Sequence, residues 1–216
     1  MSDTTIIFYT SNREKPEFEK KIVDNLKKSA GKIPIISVSH KPMDLGTNIC
    51  VGNVGCSEWN IFKQIQLGCE KAKTKFICTA EADCLYPPTG YFDFDPLITD
   101  TAYNFMNVWI LKMNRWARFQ KKNQTLCALF TNREYLLKRL EESIGHSDKW
   151  YDGNVTHPNP PTLFYHPWKW PSFTSEFPII NVKTENGLHK TTRVRPEIML
   201  ELPYWGKAED LKKKLL

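Results

Sequence analysis

Two carboxylates separated by one residue, Glu81-Ala-Asp83, follow the apolar run Phe76-Ile-Cys-Thr-Ala80. A short run rich in β-branched and aromatic residues reads as a buried strand. At positions i and i+2 of an extended chain, side chains point to the same face. Carboxylates so placed suit a hard divalent cation, which takes oxygen ligands and shares them with substrate phosphates. Acid pairs are also common in solvated loops, so the weight falls on what places this pair.

Upstream, Thr5-Ile-Ile-Phe-Tyr9 predicts a first buried strand, running into the polar turn Thr10-Ser-Asn-Arg13. Pro16 suits a first helical turn, where its missing N–H costs nothing. Phe18, Ile22, Val23 and Leu26 then mark one helical face, and Gly31 ends it. Ile33–Val38 predicts a second strand, followed by a polar stretch from His40 to Gly55. Ser57 suits an N-cap, with Glu58 near the positive helix end. Ile61, Ile65, Cys69 and Ala72 recur at helical spacing before the third strand, Phe76–Ala80. Strand, helix, strand, helix, strand predicts an α/β domain with a mostly parallel central sheet flanked by helices. Ligands of such sheets bind beyond the carboxyl ends of the strands. Thr10–Arg13 and Glu81–Asp83 both fall there.

The formal charge is +6 and the chain is 41% hydrophobic and 25% charged, an ordinary globular composition. That charge favours a polyanionic partner only mildly. No apolar run approaches the ~20 residues of a membrane span. The N-terminal residues do not form a secretory signal, so no membrane insertion and a cytoplasmic location are expected. Six cysteines without Cys-x-x-Cys spacing indicate neither a zinc cage nor a disulfide framework. The Asn123 and Asn154 sequons carry no weight without export.

The order of elements and the acid-x-Asp motif resemble the nucleotide-binding half of GT-A glycosyltransferases, Rossmann-like proteins of the family-2 type. Trp59–Ala72 resembles the helix before the motif, with Gly68 and Ala72 on the face against the sheet. Glu81-Ala-Asp-Cys-Leu-Tyr-Pro-Pro88, Phe92-Asp-Phe94 and Tyr103–Trp109 resemble compact viral and microbial members, including phage DNA glycosyltransferases. The match covers roughly residues 4–112, and Glu81 departs from the usual Asp-x-Asp. The resemblance implies one domain over 1–216, with a nucleotide-sugar half at about 4–100 and an acceptor half at about 101–216. It implies that Thr10, Asn12, Arg13, Lys63, Gln64 and Glu81 contact a donor, expected to be a UDP-sugar. Asp83, Glu81 and a late histidine, His189, would hold Mn²⁺ or Mg²⁺. Asp93-Phe-Asp95 is a second Asp-x-Asp, but its Tyr/Phe/Pro-rich setting marks it as a turn.

In the second half, Ala102–Ile110 and Thr125–Phe130 predict strands, and Thr131-Asn-Arg-Glu134 a capping box opening a helix. A Pro- and Trp-rich stretch from Asn154 to Pro178 reads equally as a functional lid or a packed cover. Pro178–Val182 predicts a last strand. An inverting transfer needs a carboxylate to deprotonate the acceptor. Asp148, Asp152, Glu176 and Glu185 qualify, with Glu176 preferred for its place between the aromatic stretch and the last strand.

Lys112–Lys122 interleaves cations with aromatic residues, and Lys207–Leu216 adds positive charge. Such mixtures contact phosphates and stack on bases. Trp109, Arg115, Arg118 and Trp168 are expected at the acceptor, and a hydroxymethylated pyrimidine in DNA is one acceptor that fits. A glycan, lipid-linked or small-molecule acceptor is the alternative. An inactive nucleic-acid-binding module is another, for which Glu81 is the one sign of degeneration. A nucleotidyltransferase would carry a Gly-rich phosphate loop after the first strand, and none is present.

Overall fold

The computed structural model describes residues 3–98, 100–122, 125–153, 170–187 and 194–216. His189 and Trp168 lie outside the described residues.

The chain starts with β1 (Thr4–Thr10), α1 (Pro16–Ala30), β2 (Ile35–Ser39), β3 (Thr47–Cys50), α2 (Glu58–Lys71) and β4 (Phe76–Glu81). After a turn come β5 (Cys84–Leu85), β6 (Ala102–Phe105), β7 (Val108–Lys112) and β8 (Arg118–Lys122). A 3-10 turn at Leu126–Ala128 leads into β9 (Leu129–Asn132) and α3 (Arg133–Ile144). Then follow β10 (Ser172–Phe173), β11 (Ile179–Val182) and β12 (Val194–Met199). The hairpin of β13 (Glu201–Leu202) and β14 (Gly206–Lys207) precedes α4 (Ala208–Leu215).

The main sheet has the order β10-β6-β9-β4-β1-β2-β3. Its β4, β1 and β2 pair in parallel, as the sequence predicts; β3, within the stretch read only as polar, extends the parallel set, and β9 runs antiparallel to both β4 and β6. A second sheet, β12-β8-β7-β11-β5, has no counterpart in the sequence reading.

The helix boundaries follow local chemistry. Ser57 caps α2 by accepting from the Asn60 N–H at 3.2 Å. Pro16 opens α1, and Gly31 closes it with a positive φ that a side chain would resist. Thr131 does not cap α3. The Asn132 side chain does, accepting from the Tyr135 N–H at 3.0 Å, while Thr131 belongs to β9. Only β9 forms the strand expected over Thr125–Phe130, because Leu126–Ala128 turn.

Alternation along β1 sends Ile7 and Tyr9 to the face covered by α2 and α3, against Trp59, Ile65 and Leu136. Ile6 and Phe8 face Leu26 of α1 and the aromatic group of Tyr86, Tyr91 and Phe105. Gly68 of α2 sits where α2 crosses β1: a Cβ there would lie 2.5 Å from Cγ2 of the fully buried Ile7. Alanine would improve helix propensity by up to about 1 kcal/mol, but valine adds branches into the same contact. Gly68→Val is therefore expected to destabilise by about 1–3 kcal/mol or more, read as a lowered denaturant midpoint with an unchanged slope.

The chain passes repeatedly between the two sheets. Ala82-Asp83 carry it from β4 in the main sheet to β5 in the small one. Met106-Asn107 do the same between β6 and β7, dividing the single strand expected over Ala102–Ile110. The segment after Lys122 returns through the 3-10 turn to β9. The small sheet packs its own core, with Phe18 and Ile22 of α1, Trp109, Phe119 and Ile180, and Leu211 and Leu215 of α4.

Candidate active site

The seam between the sheets gathers the acids. Glu81 ends β4 beside the end of β1, with Tyr9 as its register partner. Its Oε1 accepts a short hydrogen bond from the Tyr9 hydroxyl. Ala82 and Asp83 form a turn rather than continuing the strand, so the extended geometry expected of the acid pair is not realised. Asp83 is half-buried; its Oδ1 accepts from the Cys84 thiol at 3.3 Å, and its carbonyl accepts from the Val182 N–H at 2.7 Å.

Below Asp83 the seam is buried and charged. Lys122, the last residue of β8, turns inward, donating to Asn181 Oδ1 at 3.1 Å and lying 3.9 Å from Cys127 Sγ. Burial works to lower its pKa, but the charges of Cys127, Glu81, Cys84 and Asp83 outweigh burial and raise it. Burial, then the neighbouring Cys127 and Asp83, push the Glu81 carboxyl up to about 8. Cys127 goes the other way, down to about 6: burial opposes this, but Cys84, Lys122 and Thr125 together prevail. One buried ammonium readily balances one anion, and a second anion costs more. Tyr86 braces the cluster by donating to the Cys127 carbonyl at 2.9 Å and accepting from the Glu81 N–H at 2.9 Å.

The loop after β1 is the other wall. Asn12 has a positive φ of 49°, uncommon for a residue with a side chain. Its Nδ2 donates to Glu19 at 2.9 Å, its Oδ1 accepts from the Lys41 N–H at 2.8 Å, and its N–H donates to Thr10 Oγ1 at 2.9 Å. Thr10 in turn donates to Glu19. Asn12→Ala should cost about 1–3 kcal/mol, through the unpaired buried groups and the strained backbone, read as a lowered midpoint in thermal melts. Arg13 follows on the surface.

Lys63 and Gln64 are committed to the protein. Gln64 donates to the carbonyls of Thr10 and Val38 at 2.9 and 3.1 Å, tying together the ends of β1 and β2. Lys63 donates to the carbonyls of Ser147 and Lys149 and lies over the Trp150 ring. Through these bonds the two side chains position the loop after β1 and the segment after α3.

Glu176 does not reach Asp83. Val182, at the C-terminal end of β11, is the residue that meets Asp83, whereas Glu176 precedes the N-terminal end. Four strand residues separate these ends by about 10 Å. Glu176 is exposed, and its carbonyl accepts from Asn107. Trp109 is not an open stacking surface either. It packs in the small-sheet core, donates to Asn107 Oδ1 at 3.0 Å and carries Lys121 over its ring. Arg115 is exposed and Arg118 half-buried, at the turn between β7 and β8. Asp93 is a turn residue whose carboxylate accepts from the Gly90 N–H, and Asp95 is exposed.

Glu14 is the acid that sequence reasoning passed over. It is half-buried in the loop after β1 and accepts from Thr184 Oγ1, beyond the end of β11. Burial, with a smaller contribution from the charge of Asp83, raises its pKa. Its position one residue past the flagged Thr10–Arg13 turn was the available signal. Glu14 and Asp83 repel as like charges, and a hard dication between oxygen ligands relieves that repulsion.

No family model matches the sequence, and no curated protein matches it. Among solved structures, the glycosyltransferase GlyE of Streptococcus pneumoniae TIGR4 aligns with 100% of this chain and 61% of its own, at TM-score 0.52 and 8% identity. A glycosyltransferase involved in glycosylation of the major capsid of PBCV-1 aligns over 82% of this chain and 92% of its own, at TM-score 0.47 and 11% identity. S. aureus TarS 1-349, in complex with UDP-GlcNAc, aligns over 86% and 59%, at TM-score 0.48 and 10% identity. The chain thus spans about six tenths of GlyE and of the TarS fragment, and nearly all of the PBCV-1 protein. Its fold is a GT-A-like glycosyltransferase fold.

Proposed function

We propose that this protein transfers a sugar from a nucleotide-sugar, expected to be a UDP-sugar, to an acceptor hydroxyl, with Mn²⁺ or Mg²⁺ as cofactor. The observation that carries this is the place of Asp83: half-buried at the carboxyl end of β4, beside the end of β1, where the two sheets meet. That is where open α/β sheets bind ligands. The TarS structure with bound UDP-GlcNAc supports a UDP-sugar as the first donor to try.

Asp83 and Glu14 are the oxygen ligands in this reading. When bound, a dication supplies neutralisation of the charge that develops on the departing diphosphate. The loop Thr10–Glu14, shaped by Asn12 and braced by Gln64, positions the nucleoside. Deprotonation of the acceptor falls to Glu185 rather than Glu176. Glu185 follows Thr184, the residue bonded to Glu14, and so stands at the Asp83 end of β11. Losing a general base costs about 10²–10⁴-fold. Glu185→Gln should therefore lower transfer steeply while Glu176→Gln leaves it near wild type.

One observation favours DNA among acceptors. Lys212 of α4 donates to the Asn114 carbonyl at 3.0 Å, joining the exposed Arg115 and Trp116 to the exposed Lys213 and Lys214. The test is release of nucleoside diphosphate from a panel of nucleotide-sugars, with Mn²⁺ or with chelator. Each donor is run with hydroxymethylated DNA, plain DNA, a glycan mixture and no acceptor. Metal-dependent release stimulated only by modified DNA, and weakening steeply with salt, is the expected result. Stimulation by glycans alone would keep the transferase and overturn the DNA acceptor. No release or donor binding under any condition would overturn the transferase.

A further inference from the structure

The cysteines lack metal-binding spacing in the sequence, yet the fold brings two of them to one place. Cys84 opens β5 in the small sheet, and Cys127 lies in the 3-10 turn that returns the chain to the main sheet. Their sulfurs and a Glu81 oxygen all lie within 4.8 Å of one another. Both cysteines are fully buried. We propose that Glu81, Cys84 and Cys127 form a site for a thiophilic divalent cation of the Zn²⁺ class, inside the seam and distinct from the hard-cation ligands Asp83 and Glu14.

Three features of the cluster support this. First, the spacing fits. Tetrahedral ligands at a Zn–S distance of ~2.3 Å stand ~3.8 Å apart, so closing the group takes at most about 1 Å of side-chain movement.

Second, hydrogen-bond donors are aimed at each ligand. Asn181 Nδ2 donates to Cys84 Sγ at 3.3 Å. Thr125 Oγ1 lies 3.4 Å and Lys122 Nζ 3.9 Å from Cys127 Sγ. The Tyr9 hydroxyl holds Glu81. Donors of this kind orient metal ligands and stabilise sulfur in its thiolate form. A packed apolar core has no use for donors directed at thiols.

Third, the charges close. Two thiolates and a carboxylate around a dication leave one negative charge, and the buried Lys122 ammonium balances it. Ligation also removes the thiol proton that Cys84 now shares with Asp83 Oδ1, freeing that oxygen for the outer site. Three protein ligands leave a coordination position for water.

The test is titration of the full chain, under a phosphine reductant, with Co²⁺ as a spectroscopic stand-in for Zn²⁺. Intense near-ultraviolet thiolate-to-cobalt absorption that saturates stoichiometrically and is bleached by Zn²⁺ is expected. Cys84→Ser and Cys127→Ser should each reduce the absorption and lower Zn²⁺ affinity by at least about tenfold, the scale of losing even an orienting group. The Cys50→Ser/Cys56→Ser double variant, which removes the more accessible thiols, should retain both. Should the buried-thiol variants misfold, alkylation of the wild type followed by peptide mass spectrometry gives the same answer. Zn²⁺ should protect Cys84 and Cys127 during brief denaturant-assisted opening and leave Cys69 and Cys78 unprotected. Absence of the cobalt band, its survival without Cys84 and Cys127, or protection no greater than at Cys69 would overturn the site. Asp83→Asn separates this inference from sugar transfer, because it should abolish turnover and keep the cobalt band.

Discussion

Asp83→Asn is expected to lower metal-dependent release of nucleoside diphosphate by roughly 10²-fold or more, the scale of removing one group that stabilises transition-state charge. Stability should barely change. The carboxylate is half-exposed, and its one described side-chain partner is the Cys84 thiol, which asparagine's carbonyl oxygen can still accept from. Glu81→Gln should show the converse. Its carboxyl is turned to Tyr9 and, pushed up to about 8, is already protonated near neutral pH, so glutamine leaves the balance with Lys122 unchanged and disturbs chiefly the buried Tyr9 hydrogen bond, which is a cost in stability rather than turnover. Asp93→Asn and Asp95→Asn should behave as wild type, because these acids belong to an exposed turn. Initial rates over a Mn²⁺ series, paired with denaturant melts, distinguish the four variants. A comparable loss of turnover at Asp93 would mean the wrong Asp-x-Asp had been assigned.

Lys122→Met carries the largest expected stability loss, about 3 kcal/mol, the cost of leaving a buried charge without its partner. Methionine matches the length of the stem but leaves Glu81, Cys84 and Cys127 without the ammonium, and Asn181 Oδ1 without its donor. The loss should depend on pH. Glu81 has its pKa raised from 4.5 to about 8 in the folded chain, so the folded state holds a proton that the unfolded state releases. Wild-type stability contributed by this group therefore falls as pH rises across that window. Removing Lys122, which lowers the Glu81 pKa, extends the window upward. The deficit of Lys122→Met should thus be small near the bottom of the window and larger above it. Urea midpoints measured across pH in the presence of chelator test this. A pH-independent deficit would contradict the charge argument and leave only lost packing.

The sequence made the β1-α1-β2 and α2-β4 units legible because periodicity and caps agree there. Ser57, Pro16 and Gly31 each sit where their backbone chemistry demands, and Gly68 lies against Ile7 as the helix face implied. The second sheet was hidden for a physical reason. Ala102–Ile110 is apolar and aromatic on both sides of Asn107, with no Gly or Pro between, so no turn signal marks the passage there from one sheet to the other. Lys122 fell within the Lys112–Lys122 stretch read as a phosphate-contacting surface; its burial was not legible because charged residues are rarely buried unless paired, and its partners come from distant strands. Order along the chain likewise does not tell which end of β11 faces Asp83, and Glu176 lies before the other end. The pairing of Cys84 with Cys127 depends on two sheet crossings and leaves no trace in spacing.

Equilibrium binding of UDP to the wild-type chain and to Asp83→Asn, with and without Mn²⁺, tests the donor site most directly. Calorimetric binding that requires Mn²⁺ in the wild type and is lost in Asp83→Asn is the predicted result. Equal binding by both chains, or binding indifferent to Mn²⁺, would contradict the assignment of Asp83 as the residue that joins metal and nucleotide.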